Sequence, residues 1–124
     1  ILNLANERNE LMLVNDQFSG PTSADCIAKI LLMLAKHHSH ESGLYHYAGL
    51  PFVSWFEYAE YIISYASLYG LINKNPKLLI SSDIRTFSAN RPKNSRLKSD
   101  KILDLLNIAE CKWKKELKTL LYQK

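Results

Sequence analysis

The sequence has no glycine-rich phosphate loop: its four glycines, Gly20, Gly43, Gly49 and Gly70, stand too far apart to form one. Its two cysteines, Cys26 and Cys111, both fall in helical patterns and make no disulfide framework, so a reducing, cytoplasmic setting fits best. No apolar run reaches bilayer length; the best, Ile27 to Ala35, contains Lys29, which argues against a membrane span. The first ten residues, which include Glu7, Arg8 and Glu10, show no signal-peptide pattern. No acid pair is placed for hydrolysis, and no helical tyrosine stands four residues before a lysine. On its own residues the chain has no complete catalytic set. It also lacks a starting methionine, and Ile1-Leu2-Asn3-Leu4-Ala5 reads as a helix with no cap before it, so the chain is expected to be a segment of a longer protein.

What is present is enough for one domain with a core: 124 residues, 47% hydrophobic and 23% charged. The charge is lopsided. Residues 1–70 hold 3 basic and 7 acidic side chains, whereas residues 71–124 hold 13 basic and 5 acidic. A basic half suggests an anionic partner, whether nucleotide, nucleic acid or membrane surface.

Periodicity and punctuation predict the elements. Residues 1–8 form a short helical tail. Leu11-Met12-Leu13-Val14 has the length of a strand, and Asp16 to Thr22 reads as a loop broken at Gly20-Pro21. Thr22 or Ser23 caps a helix to about Lys36, with Ile27, Ile30, Leu31 and Leu34 as its apolar stripe. Leu44 to Ala48 reads as an aromatic-rich strand between Gly43 and Gly49. Ser54 and Glu57 have capping-box spacing, opening a helix of about 55–68 that Gly70 ends. Leu78-Leu79-Ile80 is a further short strand, and residues 81–97 carry little regular signal. Ser99-Asp100 opens a helix with Ile102, Leu103, Leu105 and Leu106. A last helix, about 111–122, sets Trp113, Leu117, Leu120 and Leu121 on one face. The predicted class is α+β, a mixed α/β domain of about four helices and two or three short strands.

Several groups invite a chemical reading. His37, His38, His40 and His46 with Glu41 lack the i, i+4 spacing of a helical metal site and read as a solvated helix end, so no metal is expected. Cys26 reads as a packed small residue. Tyr58, Tyr61 and Tyr65 read as a core or interface stripe, and the lysines of the last helix as its wet face. The stretch Ala89-Asn90-Arg91-Pro92-Lys93-Asn94-Ser95-Arg96-Leu97 is the densest in donors. Two readings stand for it: a solvated basic linker, or an anion-binding loop whose arginines offer planar forks matched to phosphate. A basic surface without interleaved aromatics does not call for nucleic acid.

Four segments in register resemble one family. Val14-Asn15-Asp16-Gln17-Phe18 with Pro21-Thr22, Asp25 and Ala28 is one. Gly43 to Gly49 followed by Ser54-Trp55-Phe56-Glu57-Tyr58-Ala59 is the next. Ala89 to Leu97 with Lys101 is the third, and Trp113 with Leu117 the fourth. Together they are similar to the part that follows the catalytic core in dTDP-4-dehydrorhamnose reductases, extended short-chain dehydrogenase/reductases.

That resemblance implies that residues 1–124 are the C-terminal substrate-binding portion of a reductase. The N-terminal Rossmann domain, absent from this chain, binds NADPH or NADH and carries a tyrosine-lysine pair. The full-length protein is then an oxidoreductase reducing the 4-keto group of a dTDP-4-dehydro-6-deoxy-hexose to give dTDP-L-rhamnose for cell-envelope polysaccharide. The fragment alone is expected to be inactive and to bind no cofactor. Arg91 matches an arginine that neutralises the sugar-nucleotide diphosphate. Asn94 and Ser95 fix that loop or add donors, and Gln17 and Phe18 lie near thymine or sugar. Ser54 and Trp55 are expected as a cap and a core anchor rather than substrate contacts. Expected partners are the substrate and the chain's own Rossmann domain, with no nucleic acid and no membrane. The Leu44–Ala48 strand, cut from that domain, would leave an open edge through which the fragment dimerises. Two other functions fit less of the chain: a non-catalytic, reductase-like regulatory subunit, and a basic module for nucleic acid or an acidic partner.

Overall fold

The computed structural model describes residues 1–37, 42–81 and 91–122. In chain order its elements are α1 (Leu2–Glu7), β1 (Glu10–Leu13), β2 (Phe18–Ser19), α2 (Ala24–Lys36), β3 (Val53–Ser54), α3 (Trp55–Leu68), β4 (Lys77–Ile80), β5 (Asn94–Ser95), α4 (Asp100–Leu106) and α5 (Trp113–Tyr122). The chain is thus mixed α and β, with the strands shorter and more numerous than periodicity suggests. It divides into two units, one of residues 1–19 and 53–95, the other of residues 20–52 and 96–124.

In the first unit β1 and β4 pair in parallel, Leu11 opposite Leu78 and Leu13 opposite Ile80. Strand alternation turns Leu11 inward and Met12 to solvent. Leu11 packs with Ala5 of α1, Ile63 and Ala66 of α3, and Ile72, to form a buried cluster. Each large aliphatic side chain buried there contributes about 1.5–3 kcal/mol. A second, three-stranded sheet has the order β3-β2-β5.

Helix α3 begins and ends as its residues dictate. The Glu57 N–H donates to Ser54 Oγ at 3.1 Å, and the Ser54 N–H donates to Glu57 Oε2 at 2.7 Å, a complete capping box. At the other end Gly70 takes φ +66°, and the Leu71 and Gly70 amides reach back to the Ala66 and Ser67 carbonyls. This is the Schellman closure, which favours a residue without Cβ.

In the second unit Ser23, rather than Thr22, caps α2, accepting from the Cys26 N–H at 3.1 Å. Thr22 instead accepts from the Gly49 N–H at 3.0 Å. A Cβ on Gly49 would overlap the Pro21 carbonyl, so this approach needs glycine. Trp113, Leu117 and Leu121 bury one stripe of α5, and Trp113 Nε1–H donates to the Pro51 carbonyl at 2.8 Å. Leu120 lies outside that stripe, exposed. Cys26 and Cys111 are buried free thiols with their sulfurs 3.1 Å apart. Burial, then the bond to Cys26, pushes the Cys111 thiol up to about 12. Burial also raises the Tyr47 hydroxyl, which bonds to Cys111.

Two expectations fail here. Leu44 to Ala48 is not a strand. Its backbone meets side chains instead: the Ala48 N–H donates to Ser99 Oγ at 3.0 Å, and Leu44 is 76% exposed. Aromatic content makes the segment read as a strand, but among the described residues it has no ladder partner. The stripe assigned to α2 also fails, since Ile27 and Leu31 are exposed and only Ile30 of that set is buried.

Three outcomes follow from these contacts. Ser54→Ala should lower stability by about 1 kcal/mol in denaturant unfolding. The Glu57 carboxyl is held below its ordinary value by its bonds to Ser54, so its contribution is present above the usual carboxylate range and is lost as pH falls through its folded value. The stability gap between wild type and Glu57→Ala should therefore narrow on acidification; a constant gap would contradict this. Iodoacetamide at pH 8 should leave Cys26 and Cys111 unlabelled in the native state and label both in denaturant.

Candidate functional site

The site is built by the three-stranded sheet of the first unit. Strand β2 pairs antiparallel with β3, Phe18 opposite Ser54, and in parallel with β5, Phe18 opposite Asn94. The Phe18 N–H donates to the Lys93 carbonyl at 2.8 Å, and the Phe56 N–H to the Val14 carbonyl at 3.0 Å. These registers fix what lies at the strand ends. Gln17 immediately precedes β2, Trp55 immediately follows β3, and Arg91 and Pro92 lead into β5. One antiparallel and one parallel pairing thus bring three chain segments to the same edge.

Two cavities open there. One, of about 350 Å³, is lined by Ile1, Met12, Leu13, Val14, Gln17, Trp55 and Arg91. The other, of about 180 Å³, is lined by Gln17, Phe18, Ser19, Trp55, Arg91, Pro92 and Ser95. Their combined size suits a small ligand, and the lining grades from apolar to polar.

Charge separates the cations of this loop. Lys93 Nζ lies 3.1 Å from Asp16 Oδ2 in a solvent-exposed pair, whereas Arg91 makes no ion pair or hydrogen bond among the described residues. Arg91 lines both cavities, and no described residue engages its fork of donors there. A surface pair such as Lys93–Asp16 adds little stability.

Of the residues expected from the sequence, Arg91, Gln17, Phe18 and Ser95 come together around the smaller cavity. Asn94 does not line it: in β5 its side chain alternates with that of Ser95, although its backbone still pairs with Phe18. Ala89 and Asn90, at the start of the arginine-rich stretch, lie outside the described residues, as do His38, His40 and Glu41. Among the described residues no cluster of histidine, cysteine and carboxylate side chains could hold a metal, and no helix is long and apolar enough to cross a membrane.

One residue was misjudged. Ser54 is the cap, as expected, but Trp55 is no core anchor: it is 44% exposed and lines both cavities. Trp55 stands at the first helical position, at helical spacing from the buried stripe of Ala59, Ile62, Ile63 and Ala66, but at its exposed end. The available signal was positional. That stripe recurs at helical spacing from Ala59 onward and does not need Trp55.

The whole chain, residues 1–124, matches the family model described as RmlD substrate binding domain. The dTDP-4-dehydrorhamnose reductase of Aggregatibacter actinomycetemcomitans is 32% identical over 97% of this chain and 42% of its own length. That of Escherichia coli K12 is 30% identical over 98% of this chain and 42% of its own. Among solved structures, the dTDP-4-dehydrorhamnose reductase of Bacillus anthracis in complex with NADP superposes with a TM-score of 0.73 at 31% identity, covering 98% of this chain and 40% of that one. An orthologue from Clostridium acetobutylicum gives a TM-score of 0.78 at 28% identity, covering 98% and 42%. The chain thus spans about two fifths of the length of these relatives. Matched from end to end by the family model and by the reductases, it belongs to the RmlD substrate binding domain family.

Proposed function

We propose that this domain is the C-terminal, sugar-nucleotide-binding portion of a dTDP-4-dehydrorhamnose reductase, a cytoplasmic enzyme that reduces a dTDP-4-dehydro-6-deoxy-hexose to dTDP-L-rhamnose. The observation that carries this reading is Arg91: a guanidinium unpaired among the described residues, at the wall of two cavities shared with Gln17, beside Phe18 and Ser95. A diphosphate presents adjacent oxygens that a guanidinium meets with two parallel, charge-assisted bonds. Ser95 adds a hydroxyl at the same cavity, and the backbone of Asn94 holds the loop in register with Phe18.

The chemistry needs a hydride delivered to the 4-keto carbon and a proton to its oxygen. This chain's residues do not fit a dinucleotide: with glycines only at 20, 43, 49 and 70, no turn allows the close approach to a pyrophosphate that such a loop provides. We assign the NADPH or NADH site, and the tyrosine-lysine pair, to an N-terminal Rossmann domain. This chain's part is to bind and orient the sugar nucleotide, and the domain by itself turns nothing over.

In the full-length protein, Arg91→Ala should weaken dTDP-rhamnose binding by about tenfold or more in isothermal titration. Lys93→Ala, which removes a cation already paired with Asp16, should change it by less than about threefold. Unchanged affinity in Arg91→Ala would remove the diphosphate role.

A further inference from the structure

Cys26 and Cys111 are the whole cysteine content of the chain, and they stand 85 residues apart in sequence. Folding nevertheless puts them in contact. The Cys111 thiol donates to Cys26 Sγ at 3.1 Å, and the Tyr47 hydroxyl donates to Cys111 Sγ. Both backbones are held where the sulfurs meet. The Cys26 N–H donates to Ser23 Oγ at 3.1 Å, and the Cys111 carbonyl accepts from the Leu50 N–H at 2.8 Å. Neither cysteine lines a cavity of the candidate site, and no step of the proposed function uses them. Packing alone asks only for small apolar side chains here. Two thiols already in contact can also be joined with little movement of the backbone.

We propose that Cys26 and Cys111 are a modification site: on exposure to a small peroxide they form a reversible disulfide that staples the second unit. This is independent of what the site in the first unit binds. Neither residue is wholly sealed, Cys26 being 8% and Cys111 5% exposed, and so narrow an opening suits an oxidant the size of hydrogen peroxide. Burial, then the bond to Cys26, holds the proton on Cys111, its thiol pushed up to about 12. Cys26, the acceptor at the end of the chain of hydrogen bonds from Tyr47, is therefore the sulfur that attacks. Its sulfur takes one peroxide oxygen as the O–O bond breaks; the other oxygen leaves with the thiol proton as water, and Cys26 becomes a sulfenic acid. The Cys111 sulfur then attacks Cys26 Sγ. The S–O bond breaks, the hydroxyl leaves with the Cys111 proton as a second water, and the disulfide remains. Two thiols are oxidised by two electrons and one peroxide is reduced to two waters. Tyr47 is a positioning residue: its hydroxyl holds the Cys111 sulfur and favours the negative charge that develops there.

The staple has a mechanical consequence. The second unit is built from residues 20–52 and 96–124, with residues 53–95 of the first unit running between them in sequence. Cys26 lies in the first turn of α2 and Cys111 just before α5, so the bond ties one segment of the unit to the other. A cross-link closing so long a loop removes much of the freedom of the unfolded chain. In a reducing compartment such a bond is transient, formed under oxidation and reversed by thiols.

The test is treatment of the full-length protein with hydrogen peroxide, alkylation in denaturant, and peptide mapping by mass spectrometry. Wild type should yield a Cys26 peptide joined to a Cys111 peptide, separated by dithiothreitol, and its Tm should rise by about 5 °C on oxidation and return on reduction. Cys26→Ala should lose both the linked peptide and the thermal shift. In Cys111→Ala the Cys26 sulfenic acid has no resolving thiol and should be captured by dimedone. Tyr47→Phe should slow cross-linking about threefold; an unchanged rate would remove Tyr47 from the device. If a variant does not fold, wild type with and without dithiothreitol decides alone. If both cysteines stay reduced under peroxide that fully oxidises glutathione, they are packed small residues and the proposal is overturned. Separate oxidation to sulfinic acids with no linked peptide would overturn it equally. A linked peptide with no rise in Tm would overturn the staple.

Discussion

Two residues, Phe18 and Ser19, pair on both edges, and the site depends on that double pairing. On one side β2 meets β3 antiparallel, and on the other it meets β5 in parallel. Each ladder is two residues long and would be marginal alone. What secures them lies outside the ladders. The capping box at Ser54 fixes where α3 starts, and therefore where β3 ends. The parallel pair β1–β4, packed on α3, anchors the chain just before Gln17. A one-residue slip of β2 would turn its side chains to the other face and part Gln17 from Trp55.

The electrostatics of the β5 loop are selective rather than merely basic. The sequence shows a run of cations, but the structure gives them different duties. Lys93 pairs with Asp16, while Arg91 lines the cavity with no ion-pair partner among the described residues. A rigid fork placed beside a largely apolar space gives direction as well as charge, and water is less able to compete there than on an open surface. The same division explains why lopsided net charge alone is a poor guide to the partner: most of the lysines of α5 are simply its exposed face.

Much of the fold was legible in the sequence because it is governed by local chemistry. The Ser54–Glu57 box, the glycine stop at Gly70, the β1 and β4 runs and the Trp113–Leu117 stripe are all written in neighbouring residues. The two-residue strands were not, since pairing of Phe18 with Asn94 and Ser54 is long-range and too short to leave a period. Leu44–Ala48 reads as a strand for the opposite reason: strong strand composition with no ladder partner among the described residues, the Ala48 amide instead donating to Ser99 and that of the following Gly49 to Thr22. Of the residues that line the smaller cavity, Arg91, Gln17, Phe18 and Ser95 are ones the family resemblance names, whereas Trp55, which reads as core at a helix start, is exposed.

Arg91 and Gln17 belong to segments far apart in the chain, and the account stands or falls on whether one ligand spans both. A crystal structure of the full-length protein with dTDP-rhamnose measures this directly. The account predicts diphosphate oxygens within about 3 Å of the Arg91 guanidinium, with the nucleotide passing into the space walled by Gln17 and Trp55. A diphosphate held by other cations, with Arg91 turned to solvent and the cavity beside Gln17 filled only by water, would contradict it.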